Sequence, residues 1–359
     1  MVKKLVSLAL IMLFALSAMS QSQIKNEKKN NSKLLEEAYG YYSNRQYNKA
    51  LECYNKLAKK GNEEAMCYLG VMYGKGLGVP KDDNASFKWF KKSAEQGFAL
   101  SQYAVGNCYK NGNGVSKDYN LAVSWYKKAA EQGIDDAQYE LGVCYYNGKG
   151  VPKDYIQSVK WFTKSAEQGN ISAQRYLALS YYLGNGVTKD VKKAVETYRK
   201  VAENGDLDDK IDLGLLCFQA KEYGEALLLL AEAESKGSPR ASYLFGMIVE
   251  ALSGNYKGAL EYYTKAHENG YNYATAKIGE YYFKGYSVKQ DYKKAFELLS
   301  KAANDKKSPS GDAMNLLSSC YRFGLGAEQN LEKAEFWLKK AKENGSDDAK
   351  LILQLLDEK

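Results

Sequence analysis

IDDAQYELGVCYYNGKGVPKDYIQSVKWFTKSAEQG, residues 134–169, holds the grammar from which the rest of the chain can be read. Ala137, Leu141, Cys144 and Tyr145 recur at helical spacing and draw one apolar stripe, so the first half predicts a helix. Gly142 interrupts that helix at a cost of about 1 kcal/mol relative to alanine, which predicts a neighbouring helix too close to admit a side chain. Asn147-Gly148-Lys149-Gly150 supplies residues that tolerate positive φ, ending the helix and turning the chain. Asp154 then stands where a carboxylate accepts the free N–H groups of a new helix. Ser158, Trp161, Phe162 and Ala166 form the second stripe, and Gly169 stops it. Two helices of ~14 residues, each ~21 Å long, cannot hide both stripes from water between themselves. Stacking on a further pair is obligatory.

The same 36-residue register runs through Asn62–Gly97, Phe98–Gly133, Ile134–Gly169 and Asn170–Gly205. Each copy closes on Ala-Glu-Gln-Gly or Ala-Glu-Asn-Gly. Asp206–Gly237 and Ser238–Gly270 shorten to 32 and 33 residues by losing the glycine loop. From Tyr271 the longer loop returns, and the last copy ends at Gly345. Lys33–Gly61 reads as another short pair, with Tyr47, Ala50 and Tyr54 on its second helix. Asp347–Leu356 is left as one amphipathic helix that caps the array, since a terminal face must meet solvent. The division expected is therefore 1–20 signal, 21–31 flexible lead, 32–61 short repeat, 62–205 four long repeats, 206–270 two short repeats, 271–345 two long repeats and 346–359 capping helix.

Composition agrees with a folded helical array: 45% of the 359 residues are hydrophobic, and only 4 prolines are present to break helices. Lys3 and Lys4, the apolar run Leu5–Leu16 and the small residues Ser17, Ala18 and Ser20 are the three parts of a secretory signal, with cleavage expected between Ser20 and Gln21. The run falls short of the ~20 residues that span a bilayer, so no stable membrane anchor is expected. No cysteine lies at the junction to carry a lipid. A bacterial protein of the periplasm or the medium is the reading, and a monomer.

The net charge of +8 is unevenly spread, with 19 basic and 13 acidic residues over 65–205 but 6 and 11 over 206–270. That is no uniform polyanion-binding face, so nucleic acid is not an expected partner. Six cysteines remain: Cys53, Cys67, Cys108, Cys144, Cys217 and Cys320. Cys108, Cys144 and Cys320 occupy one position in different repeats, whose Cα atoms should lie ~10 Å apart; a disulfide needs less than ~7 Å. Buried free thiols are expected, with Cys53–Cys67 the one pairing to check.

Leu141-Gly142, Tyr145, Gly148, Gly150, Val151, Asp154 and Ala166–Gly169 give the chain its resemblance to the Sel1-like repeat family, over about 330 residues. The short units, as at Ala220-Lys221-Glu222-Tyr223-Gly224-Glu225-Ala226, are similar to tetratricopeptide turns. The resemblance implies an all-α fold, an α/α superhelical solenoid of helix-turn-helix repeats, and an adaptor or scaffold that binds a protein or peptide in a concave groove. It also implies an alternative, since some secreted relatives bind or hydrolyse β-lactams, which would extend to cell-wall fragments. The Cys pair per repeat of the cysteine-rich relatives is missing. By analogy with tetratricopeptide geometry, the groove is lined three residues before and one, four and five after the glycine of each first helix. This selects Tyr103, Asn107, Lys110 and Asn111; Tyr139, Val143, Tyr146 and Asn147; Arg175, Leu179, Tyr182 and Leu183; and Tyr243, Arg322 and Phe323.

Sharper chemistry finds little support. His267 has no second histidine and is expected to be a solvated helix residue. Ser124-Trp125-Tyr126-Lys127 has the serine-x-x-lysine spacing of penicillin-recognising enzymes without their Ser-Asp-Asn and Lys-Thr-Gly partners. The glycine loops follow helices, not strands, so they read as turns and not phosphate cradles. Asp82, Asp118, Asp154 and Asp190 are whole repeats apart and read as N-caps. No catalytic residues, metal or cofactor are expected.

Overall fold

The computed structural model describes residues 29–357, all-helical with turns and no strand among them. The expected signal, residues 1–20, and residues 21–28 of the expected lead lie outside the described residues. The chain divides into two compact units, with the boundary between Lys189 and Asp190.

The first unit contains α1 (29–43), α2 (Tyr47–Lys59), α3 (Glu63–Lys75), α4 (Asp83–Glu95), α5 (Ala99–Asn111), α6 (Tyr119–Glu131), α7 (Asp135–Asn147), α8 (Tyr155–Glu167) and α9 (Ile171–Leu183). Helices α3 with α4, α5 with α6 and α7 with α8 pair as hairpins, and each second helix packs on the first of the next pair. The glycine within each first helix receives an aromatic ring from its partner: a Cβ on Gly142 would stand 2.6 Å from the Phe162 ring, and Gly70 and Gly106 face Phe90 and Tyr126 in the same way. Phe162 and Tyr126 are fully buried, each side chain contributing about 1.5–3 kcal/mol of transfer free energy.

Polar side chains fix the register of the stack. The Ser86 and Ser158 hydroxyls donate to the carbonyls of Gly70 and Gly142, at 2.7 and 2.9 Å. Buried Gln102 and Gln138 donate to the carbonyls of Ala94 and Ala130 in the preceding repeat, and each accepts at 2.8 Å from the glutamine that closes its own repeat, Gln132 or Gln168. Asp82, Asp118 and Asp154 cap α4, α6 and α8 through the amides of Ala85, Leu121 and Gln157. Gly148 ends α7 in the left-handed region, and Gly150, at φ 75°, lies so close to the second helix of the preceding repeat that a Cβ would stand 2.3 Å from the Tyr119 carbonyl of α6.

The second unit contains α10 (Val191–Asn204), α11 (Leu207–Gln219), α12 (Tyr223–Ser235), α13 (Pro239–Ser253), α14 (Tyr256–Glu268), α15 (Asn272–Lys284), α16 (Tyr292–Ala303), α17 (Gly311–Phe323), α18 (Leu331–Glu343) and α19 (Asp347–Asp357). Hairpins α11–α12, α13–α14, α15–α16 and α17–α18 follow one another, and α19 packs on α18. Asp190 and Asp291 cap α10 and α16. The short turn into α12 places Lys221 at φ 65°, where the long repeats use glycine. None of the described helices is long and apolar enough to cross a membrane. The six cysteines are free thiols; five are buried and Cys67 is half-buried.

Candidate functional site

The side chains selected for the groove come from the first helix of each hairpin, and the structure divides them into two populations. On α5, the Tyr103 ring lies 6.0 Å from the Tyr126 ring, and the Asn107 carbonyl oxygen accepts the Tyr126 hydroxyl at 2.7 Å. Lys110 forms an ion pair with Glu140 of α7 at 2.7 Å. On α7, Tyr139 and Tyr146 join Phe162 and Tyr176 in one aromatic cluster, with ring centroids 4.9–6.4 Å apart, and Tyr146 also meets Tyr155 at 5.1 Å. The Tyr146 hydroxyl accepts from Asn185 at 3.3 Å. These residues pack between neighbouring repeats.

The second population faces solvent. Asn111 and Asn147 end α5 and α7 exposed, Val143 stays half-buried, and α9 presents Arg175, Leu179 and Leu183. Together with Ile171 these lie four residues apart on one face of α9, and the three apolar members are 39–49% exposed. Tyr182 is half-buried, with the Lys189 ammonium 5.6 Å from its ring.

In the second unit Tyr243 is held between Tyr263 and Tyr271, at 5.5 and 5.2 Å, and burial pushes its phenol up to about 12. Arg322 is half-buried and Phe323 is 66% exposed.

Sequence reasoning missed a polar seam along α11, α13 and α15. The Tyr198 hydroxyl contacts the carboxylates of Asp209 and Asp212 at 3.2 and 3.1 Å, and Asp212 also pairs with Arg240. Glu250 accepts the hydroxyls of Tyr263 and Tyr281 at 2.8 and 2.9 Å and pairs with Lys277 at 3.3 Å. Lys277 and Lys284 hold the Glu280 carboxyl below its usual range against the opposing effect of burial. A signal was present: Glu250 is a carboxylate inside the apolar run of α13, a placement that demands partners.

His267 corrects a second expectation. It is half-buried, its Nδ1 lies 2.7 Å from the Thr275 hydroxyl, and burial lowers its pKa, with Lys301 adding to the effect. It is a packed residue because α15 follows closely, as the first helix of the next repeat covers Ala94 and Ala130 at the same place before Gly97 and Gly133.

Chemistry at these positions is restrained. The Ser124 hydroxyl donates to the Leu121 carbonyl of its own helix at 2.7 Å, and Lys127 is exposed, so the serine-x-x-lysine spacing forms no nucleophile-base pair. Cys217, Glu222 and Glu225 have ligand atoms within 4.8 Å of one another. Arg199 bonds both carboxylates at 2.7 Å and holds Glu225 below its ordinary range, so both are already engaged by a guanidinium. Burial pushes the Cys108, Cys144 and Cys320 thiols up to about 11 and that of Cys217 to about 12, away from the thiolate that nucleophilic chemistry needs.

The Sel1 repeat matches at residues 37–62, 63–98, 99–134, 135–170, 171–206, 224–271, 272–306 and 311–346. Among solved structures, a protective antigen of uropathogenic Escherichia coli is 29% identical, with a TM-score of 0.65 over 90% of this chain and 79% of that one. A Sel1 repeat protein from Oxalobacter formigenes is 28% identical, with a TM-score of 0.61 over 85% and 90%. A comparison with curated proteins gives no match.

Proposed function

The chain belongs to the Sel1 repeat family, a fold of protein-binding scaffolds, and from that premise we propose that it is exported and holds a protein or peptide partner along the solvent face of its first helices. The observation that carries this reading is the face of α9. Ile171, Arg175, Leu179 and Leu183 present aliphatic area around a guanidinium to solvent, a pattern costly to expose without a partner. Asn147 continues it on α7. The ring of Tyr176 ties α9 to Tyr139, Tyr146 and Phe162 of the preceding hairpin.

Export rests on the Lys3-Lys4, Leu5–Leu16 and Ser17–Ser20 pattern. The relative in uropathogenic E. coli is a protective antigen, which accords with a protein met outside the cytoplasm. The periplasm or the medium is the proposed location, and the monomer the proposed state, with no cofactor and no catalytic role. Among the described residues no grouping favours the β-lactam or cell-wall alternative.

Affinity capture from native envelope and culture fluid tests the reading. The probe is the mature chain beside an Arg175→Ala, Leu179→Ala, Leu183→Ala variant, whose substitutions touch exposed positions only. A partner retained by the first and lost by the second is the expected result; a partner retained by both removes α9 from the site. N-terminal sequencing of the mature protein checks export, and a first residue other than Gln21 contradicts the expected cleavage.

A further inference from the structure

One repeat is missing a plug. In the third hairpin of the first unit, Tyr146 fills the space between Tyr155, Phe162 and Tyr176, and Asn185 of the following loop donates to its hydroxyl. In the preceding repeat the same position carries Lys110, which reaches Glu140. Two repeats before Tyr146 the position is Gly74. The walls around it keep the register: Asp83 stands for Tyr155, Phe90 for Phe162, Ala104 for Tyr176 and Asn113 for Asn185. A cavity of about 310 Å³ results, lined by Gly74, Asp83, Phe90, Ala104, Asn107 and Asn113 among others. Phe90 is only half-buried, whereas Tyr126 and Phe162 in the same position are fully buried.

We propose that this cavity is a receptor for the phenol side chain of a tyrosine on an extended segment of a protein partner. The ring would take the place Tyr146 holds two repeats on, against Phe90, and its hydroxyl would meet Asn113 as Tyr146 meets Asn185. The volume lies at the lower end of the ~300–1,000 Å³ of small-ligand sites; the Phe90 ring, Val71 and Ala104 supply apolar wall, and Lys75, Lys81, Asp83 and Asn113 make a polar rim suited to the hydroxyl end of the phenol. Residues 1–28 and 358–359 contain no tyrosine that could fill it. The proposal deepens the scaffold reading and rests on it for the partner's being a protein; the pocket itself is tested without one.

The probe is p-cresol, the tyrosine side chain alone, with toluene as the control that lacks the hydroxyl, followed by NMR of the full mature chain. The expected result is saturable shifts at Gly70, Gly74 and the Asn113 side-chain amide, with toluene about fivefold weaker for the lost hydrogen bond. Gly74→Tyr rebuilds the plug and should abolish the shifts. A Cβ on Gly74 would stand 2.9 Å from the Ser86 hydroxyl, so that serine must shift as the plug enters; Ser158 and Tyr146 occupy the same two positions in the third hairpin, and an unchanged helical circular dichroism signal shows that the variant folds. Asn113→Ala, on an exposed loop, should weaken p-cresol about fivefold and leave toluene unchanged. No saturable shift with p-cresol, or shifts that persist in Gly74→Tyr, overturns the pocket. Equal affinity for toluene and p-cresol overturns the tyrosine assignment. Partner capture through α9 is read separately, so the pocket can fail while the scaffold stands, and the reverse.

Discussion

Gly150 shows at the residue scale how one position can carry the register of two repeats. Its φ of 75° strains any L residue, and a Cβ there would also fall on the Tyr119 carbonyl. Gly169 shares the conformation, at φ 93°, but nothing lies within 4 Å of its Cβ position. Gly169→Ala should therefore cost about 1–2 kcal/mol, the left-handed penalty alone, and Gly150→Ala distinctly more; equal losses in chemical denaturation would deny the inter-repeat contact. Lys221, at φ 65°, invites the converse change. Lys221→Gly should raise stability by up to about 1 kcal/mol, read as a higher denaturation midpoint with an unchanged slope. The N-caps at Asp82, Asp118 and Asp154 were legible because capping is local chemistry. His267 was not, because its burial depends on α15, eight residues on and in another hairpin.

At the element scale, periodicity predicted the hairpins but not which side chains the next hairpin would cover. Tyr139 and Tyr146 occupy groove positions by spacing, yet Tyr176 of the following helix closes over them. Arg175 and Leu179 have the same spacing and stay exposed. The difference lies in the partner helix, which spacing within one element does not encode. Tyr243 was selected by the same rule and packs between Tyr263 and Tyr271. Phe162 anchors its hairpin through Gly142, so Phe162→Ala should cost about 3–5 kcal/mol; a loss below ~1 kcal/mol would mean that the core relaxes into the space. Thiol labelling reports the same packing. At pH 8 the native chain should react slowly with iodoacetamide and first at Cys67, the half-buried one, with the other five released on unfolding. Rapid labelling of Cys144 would contradict the burial that raises its thiol.

At the scale of the whole molecule, tyrosine sets the alkaline limit. Burial raises the phenols of Tyr54, Tyr126, Tyr198, Tyr243, Tyr263 and Tyr281 above their ordinary value of 10.0, and the buried thiols move in the same direction. A group whose folded pKa is raised stabilises the fold fully below its unfolded pKa and loses that contribution as pH rises toward the folded value. Stability should therefore begin to fall above pH ~9 as the thiols titrate and collapse above pH ~10 with the phenols. On the acid side Glu225 and Glu280 are held low, so their contribution is present above the usual carboxylate range and is lost as pH falls below it. Circular dichroism across pH 3–12 checks both limits, and a helical signal unchanged at pH 12 would contradict the first. The second loop glycine has a longer reach. Gly114, Gly150, Gly186 and Gly326 each follow a long repeat, and a Cβ on each would strike the backbone at the start of the preceding second helix. After a short repeat the approach relaxes: Gly78 would meet Tyr47 at 3.0 Å, and the loop after α15, in the unit that follows a short one, accepts Ser287. Inheritance by duplication is then constrained at the junction. A long unit can be copied behind another long unit without further change, whereas a unit carrying Ser287 fits only behind a short one, so the order of unit lengths along the chain is sterically constrained.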